Sequence, residues 1–71
     1  MKREEAITLL TELSLKGKLV RPSFVSVDHR NACVYELKFK GDYDREVIEK
    51  FVQKRNFSVE EDKEEGFLVI F

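Results

Sequence analysis

The sequence predicts a two-layer α+β fold in which two helices pack on one face of a four-stranded antiparallel sheet. Three observations lead to this class. Apolar residues recur at helical spacing in two segments, they alternate with polar residues in three others, and five consecutive apolar residues occupy positions 67–71. These segments follow one another in the order α-β-β-α-β-β. A single domain over residues 1–71 is expected, because a chain of this length has too little interior for a second core.

The first helix is predicted over residues 2–16. Its apolar residues lie three or four positions apart and form one stripe that faces the core, namely Ala6, Ile7, Leu9, Leu10 and Leu13. Acidic residues occupy the first turn and Lys16 the last turn, as the helix dipole favours. Gly17 can adopt the left-handed conformation that ends a helix.

A β-hairpin is predicted over residues 19–39, because apolar and polar residues alternate along both halves of this segment. The turn is expected at residues 28–31, whose Asp, His, Arg and Asn side chains tolerate turns. Pro22 has no amide proton to donate to a neighbouring strand, so it predicts an edge position for the first strand.

The alternation also predicts which side chains share a face of the sheet. The set expected to face the helices is Cys33, Tyr35, Leu37 and Phe39, with Val25 and Val27. The set expected on the opposite, open face is Val34, Glu36, Lys38 and Lys40, with Phe24 and Ser26.

The second helix is predicted over residues 43–55, after Gly41 and Asp42 end the second strand. Either Asp42 or Asp44 can accept the free amide protons at the start of this helix. Asn56 is expected to end it in a left-handed conformation.

The second hairpin is predicted from residues 57–60 and 67–71, joined by a charged turn over residues 61–66. The last strand has no polar residue. At the edge of a sheet such a strand invites aggregation, so a central position is expected.

Moving the last strand to the front of the order gives β-α-β-β-α-β, which resembles the ferredoxin-like topology. In a circularly permuted version of that layout, the last strand and the strand with Val34 are the central ones. The strand with Pro22 and the strand with residues 60–62 are then the edges, where proline and charge are tolerated. A plain meander order is the structural alternative. The resemblance concerns topology alone and implies no function.

Composition narrows the function classes. The 13 basic and 14 acidic residues give a formal net charge of -1, so no net field attracts nucleic acid or an anionic membrane. The single cysteine cannot form an internal disulfide, and no run reaches the ~18 apolar residues of a membrane span, so a cytoplasmic protein with no membrane association is expected. The charge-rich composition also leans towards that of thermophiles.

No sequence motif indicates catalysis, and no catalytic, cofactor-binding or metal-binding residues are predicted. His29 is interpreted as a solvated turn residue, and Cys33 as a small hydrophobic residue in the core. The acidic run over residues 60–65 is interpreted as a solvated hairpin turn, and the three glycines stand too far apart to form a phosphate-binding loop.

The leading functional hypothesis is a non-enzymatic module that binds a second copy of itself, or another protein, through the open sheet face. The small core and the surplus of apolar residues in the last strand favour it. In the last strand either Phe67, Val69 and Phe71 or Leu68 and Ile70 must face outward, because neighbouring side chains alternate. The predicted interface residues are Phe24, Val34, Leu68 and Ile70.

Two alternatives are open. One is weak binding of RNA or single-stranded DNA through Phe24, Lys38 and Lys40, joined in one register of the last strand by Phe67 and Phe71. The other is a small regulatory ligand bound at a dimer junction.

Overall fold

A computed structural model describes residues 1–15 and 20–71. Its elements are α1 (Arg3–Leu15), β1 (Val20–Asn31), β2 (Val34–Tyr43), α2 (Arg45–Gln53), β3 (Val59–Asp62) and β4 (Phe67–Ile70). The predicted order α-β-β-α-β-β is therefore confirmed. The predicted end of the first helix at Lys16 and Gly17 lies outside the described residues.

The four strands form one antiparallel sheet with the order β1-β2-β4-β3. Pairing of β2 with β4 excludes a meander and places β4 in the interior, with β1 and β3 at the edges. This is the strand order of a circularly permuted ferredoxin-like layout. The central position predicted for the last strand is confirmed.

Both helices pack on the same face of the sheet. The core combines alternate residues of the two central strands with one stripe of each helix, and its cluster of buried residues is Leu9, Leu13, Leu37, Phe39, Ile48, Val52, Leu68 and Ile70. In register, Leu37 lies opposite Ile70 and Phe39 opposite Leu68, so these four side chains point to one side. Burying an aliphatic or phenyl side chain contributes about 1.5–3 kcal/mol, so this layer is the main source of stability.

The ends of α2 follow from local hydrogen bonds. The Asp44 carboxylate accepts from the backbone N–H groups of Glu46 (3.0 Å) and Val47 (3.4 Å), so Asp44, and not Asp42, caps the helix. Asn56 has a φ of 64°, which confirms the left-handed conformation expected after the helix. The Arg55 guanidinium then joins the two helices through the Glu12 carboxylate at 2.8 and 3.1 Å.

Two strand boundaries differ from the prediction. β1 continues through residues 28–31, and the turn falls at Ala32 and Cys33, where the Asn31 side chain accepts from the Cys33 N–H at 3.3 Å. β2 continues through Gly41 and Asp42, which pair with residues 22 and 21 of β1. Gly41 has a φ of 142°, a conformation that glycine adopts without strain, so it bends the strand without ending it.

Candidate functional site

The candidate site is the open face, the side of the sheet away from both helices. Its side chains alternate with the core positions along each strand. They are Phe24, Ser26 and Asp28 of β1, Glu36, Lys38 and Lys40 of β2, Phe67 and Val69 of β4 with the adjoining Phe71, and Glu60 and Asp62 of β3.

An apolar line runs down the middle of the open face, formed by Phe67, Val69 and Phe71; we call it the central stripe. Val69 is only 7% exposed although neither helix covers this side. In the sheet it lies between Lys38 of β2 and Glu60 of β3. The alkyl stems of such long charged side chains cover apolar neighbours while their charged ends stay in water.

The central stripe separates two flanks of opposite charge. Lys38 and Lys40 of β2 form the basic flank, and Glu60 and Asp62 of β3 form the acidic flank. Val69 pairs with Lys38 of β2 on one side and with Glu60 of β3 on the other, and Asp62 of β3 pairs with Phe67. In the rows of Lys38 and Lys40 the open face therefore reads basic, apolar, acidic. In the next row, Glu36 and Asp28 place carboxylates on the same side as the basic flank.

An aromatic cluster lies at one end of the central stripe. The rings of Phe24 and Phe67 have their centroids 5.4 Å apart at an interplanar angle of 59°, a tilted arrangement that aromatic pairs favour. The ammonium groups of Lys40 and Lys38 lie 4.8 and 5.4 Å from the centroid of the Phe67 ring. Phe24 is 46% exposed, so the cluster offers one accessible ring with two cations beside it.

Arg30 organises the other end of the open face. Its guanidinium donates to the carboxylates of Glu36 (3.3 Å) and Glu60 (3.1 Å), and it lies 3.7 Å from the centroid of the Phe71 ring. One side chain of an edge strand thus reaches across both central strands to the opposite edge. The planar guanidinium can stack and donate several hydrogen bonds at once, whereas an ammonium group cannot stack in this way.

An open depression of about 500 Å³ lies between Arg30 and the acidic flank, with Val69 at its floor. A second groove, of about 450 Å³, lies on the helical side against α1, Arg55 and Phe57. The two are on different sides of the molecule, so the depression is the one that belongs to the open face.

The structure places the predicted interface residues on both sides of the sheet. Phe24 lies on the open face as expected, and Val34 is half-buried at the start of β2. Leu68 and Ile70 are 0% exposed beneath the helices, so their placement on the open face is wrong. Phe67, Val69 and Phe71 take that place. A run of five apolar residues carries no alternation, and only its register against β2 distinguishes the two sides.

The residues of the nucleic-acid alternative lie together. Phe24, Lys38 and Lys40 all project from the open face, around the ring of Phe67. Lys38 also forms an ion pair with Asp28 at 3.8 Å, and that carboxylate accepts from the Ser26 hydroxyl at 2.6 Å. The sequence offers Phe67 for this group in one of the two possible registers of the last strand, and the structure adopts that register.

Cys33 and His29 differ from their predicted settings. Cys33 is exposed in the turn, so the prediction that it fills the core is wrong, because the hairpin turn lies further along the chain than expected. His29 is exposed, as predicted, but it belongs to β1 and not to the turn, and its ring centroid lies 4.3 Å from that of Tyr35. Within residues 1–15 and 20–71, no three His, Cys, Asp or Glu side chains are grouped so as to hold a metal ion. In the same part of the chain, neither helix is long and apolar enough to cross a membrane.

The fold and the open face define the class of molecule as a small α+β domain with one sheet surface left bare by its helices. Comparison with known protein families, with curated proteins and with solved structures finds no match to this chain.

Proposed function

We propose that this protein is a non-enzymatic interaction module that self-associates through the open face of its sheet. The observation that carries the proposal is the central stripe, which places two phenylalanines and a valine along an interior strand on the side that neither helix covers. Val69 is only 7% exposed, so the accessible apolar surface is that of the rings on either side of it. Exposed apolar surface of this kind on a small domain commonly marks a contact site.

The small core supports the same proposal. Domains of this size obtain only about 3–5 kcal/mol from a single core, and association is one way to supplement it. A second sheet packed on the open face would remove the remaining exposed ring surface of Phe24, Phe67 and Phe71 from water. Long charged side chains already cover part of that surface, so we expect a weak dimer with a dissociation constant on the order of micromolar.

The test is the molar mass of the protein as a function of concentration, measured by sedimentation velocity from about 1 to about 100 μM, the range that brackets a weak dimer. We expect the mass to rise from that of one 8.4 kDa chain towards that of two. A mass that stays at one chain over this range would contradict self-association and leave another protein as the partner to be sought.

A matched pair of variants locates the contact. Phe24 on the open face and Val47 on α2 are 46% and 42% exposed, so either can become lysine with little effect on folding. We expect Phe24→Lys to weaken the dimer about tenfold, because it removes the ring that packs on Phe67 and places a charge beside the central stripe. Val47→Lys should leave the dimer unchanged. Equal effects of the two variants would show that the open face is not the contact surface.

The aromatic cluster favours a second candidate function, the binding of single-stranded nucleic acid. An accessible ring beside two lysines is the arrangement on which bases stack while cations contact phosphates. In this case, affinity for single-stranded RNA should fall with salt with a logarithmic slope of about −1.4, as two phosphate contacts require. The variant Lys38→Ala/Lys40→Ala should abolish binding, while Lys50→Ala/Lys54→Ala on the helical side should not. A flat titration at low salt would exclude this function.

A further inference from the structure

We infer that two copies of the chain pair face to face about a twofold axis parallel to β4, so that the basic flank of each copy lies over the acidic flank of the other. This inference rests on the proposed self-association and specifies its geometry. The juxtaposition that carries it is the row Lys38, Val69, Glu60, which runs straight across three adjacent strands.

Consider a twofold axis that runs along β4 and lies between the two sheets. It exchanges the two sides of β4, where β2 and β3 lie, and leaves the position along the strand unchanged. The central stripe of one copy therefore stacks on the central stripe of the other, and β2 of each copy lies over β3 of the other. The strand β1 then extends past the edge of the second sheet, so Phe24, whose ring lies 5.4 Å from that of Phe67, borders the contact. Lys38 then meets Glu60 of the second copy, and Lys40 meets Asp62 of the second copy. Twofold symmetry repeats every such contact, as isologous interfaces require.

The other way to pair two copies is a twofold axis that crosses the strands at Val69. It keeps β2 over β2 and β3 over β3. Lys38 would then face Lys38 of the second copy, and Glu60 would face Glu60, while Lys40 would face Glu36 of the second copy. The two like-charge pairs of this arrangement lie at the centre of the interface and oppose association. The axis along β4 joins opposite charges in both rows, so the charge pattern favours it.

The twist of the sheets leaves these contacts within reach. Two packed sheets cross at about 30°, and neighbouring strands are about 4.8 Å apart, so Lys38 and Glu60 are displaced by about 2.4 Å from their ideal partners. Lys40 and Asp62, two residues further along the strands, are displaced by about 4 Å. A lysine side chain spans this displacement.

The ion pairs within one copy do not prevent Lys38 and Glu60 from pairing with the second copy. Glu60 bonds to Arg30 at 3.1 Å and its side chain is 58% exposed, and Lys38 lies 3.8 Å from Asp28. Exposed pairs of this kind contribute little to stability, so their carboxylates and ammonium groups are available to a second copy. Asp62 is more constrained, because its Oδ1 accepts from the N–H groups of Glu64 and Glu65 in the turn.

The decisive experiment swaps the charges of the Lys38 and Glu60 row and leaves Asp62 in place. Lys38→Glu brings two carboxylates together in each half of a homodimer, and Glu60→Lys brings two ammonium groups together. We expect each variant alone to dimerise at least about tenfold more weakly than the original chain. An equimolar mixture should form a heterodimer, because every contact across it joins opposite charges. The double variant K38E/E60K should again form a homodimer.

The readout is native mass spectrometry of one isotope-labelled and one unlabelled chain, with circular dichroism to verify folding. Matched controls on α2 are Lys50→Glu and Glu46→Lys, which change the net charge equally at exposed helical positions. They should dimerise like the original chain, alone and mixed. Failure of the original chain to dimerise would overturn the proposed function. A dimer of the original chain without recovery in the mixture and in K38E/E60K would overturn this geometry alone.

Discussion

Arg30 shows how one side chain can hold the open face together. Its guanidinium bonds to carboxylates on β2 and β3 and stacks on Phe71. Arginine can make these contacts simultaneously because its donors and its flat face point in different directions. The residue thus ties the edge strand β1 to the opposite edge, although the backbones of β1 and β3 do not pair.

The change Arg30→Lys should lower the free energy of unfolding by about 0.5–1 kcal/mol, because lysine loses the stacking and one of the two carboxylate contacts. Urea denaturation followed by circular dichroism measures this value. Arg45→Lys is the control, since Arg45 makes a single exposed pair with Glu61 at 2.8 Å and should change the value by less than about 0.5 kcal/mol. Equal losses in both variants would contradict the bridging role of Arg30.

Asn56 is the non-glycine residue with a positive φ among the described positions, at 64°. The change Asn56→Ala should destabilise the protein by about 1 kcal/mol, because a Cβ without a compensating polar group is strained in this conformation. Asn56→Gly should stay within about 0.5 kcal/mol of the original chain, since glycine adopts the same conformation freely. The midpoints of thermal unfolding of the two variants measure this difference. An alanine variant more stable than the glycine variant would contradict the claim that the backbone at position 56 is strained for alanine.

At the scale of the elements, α2 depends on the cap at its start. Asp44→Ala should cost about 1 kcal/mol in the free energy of unfolding, because two backbone N–H groups lose their acceptor. Asp42→Ala removes a carboxylate of the same type two positions earlier and should cost less than about 0.5 kcal/mol. Urea denaturation of both variants measures the difference, and the reverse ranking would place the cap at Asp42.

The strands differ in how far the sequence predicts them. In β2 the alternation of apolar and charged residues assigns every side chain from Glu36 to Lys40 to its observed face. Pro22 predicts the edge position of β1 correctly. In β4 all residues are apolar, so the sequence predicts an interior strand without distinguishing Leu68 and Ile70 from Phe67 and Val69. That distinction requires the register with β2, which is a property of the assembled sheet.

The sequence misplaces the hairpin turn for a related reason. Turn propensity concentrates at residues 28–31, yet these residues continue β1, with an irregularity between His29 and Asn31. A bulge lets an edge strand accommodate an extra residue without ending. Cys33 is exposed as a consequence, so it does not belong to the core as predicted. The predicted faces of the following β2 residues are correct.

At the scale of the whole molecule, the two ends of the described chain lie along one line of the sheet. Met1 exchanges backbone hydrogen bonds with Tyr35 of β2, whereas Ile70 lies opposite Leu37, two positions further along the same strand. Phe71 in turn pairs with Ser58. Met1 therefore extends the line of β4 beyond Phe71.

This proximity predicts that a circular permutant folds. Joining Phe71 to Met1 with about four glycine and serine residues and opening the chain between Glu64 and Glu65 gives the order β-α-β-β-α-β. We expect the same circular dichroism spectrum and a loss of no more than about 2 kcal/mol, because the opened turn is exposed and contains no core residue. A permutant opened between Leu37 and Lys38 is the control and should not fold. If the permutant opened between Glu64 and Glu65 did not fold, this would contradict the placement of Met1 next to Phe71.

The placement of β4 between β2 and β3 also bears on how quickly the native state is reached. β3 has no neighbour other than β4 in the sheet, and β4 meets β2 only when Ile70 closes on Leu37 across more than thirty intervening residues. Closing so long a segment is entropically slow compared with hairpin formation. The rate-limiting barrier should therefore fall at the docking of the 59–70 hairpin onto the 20–43 hairpin.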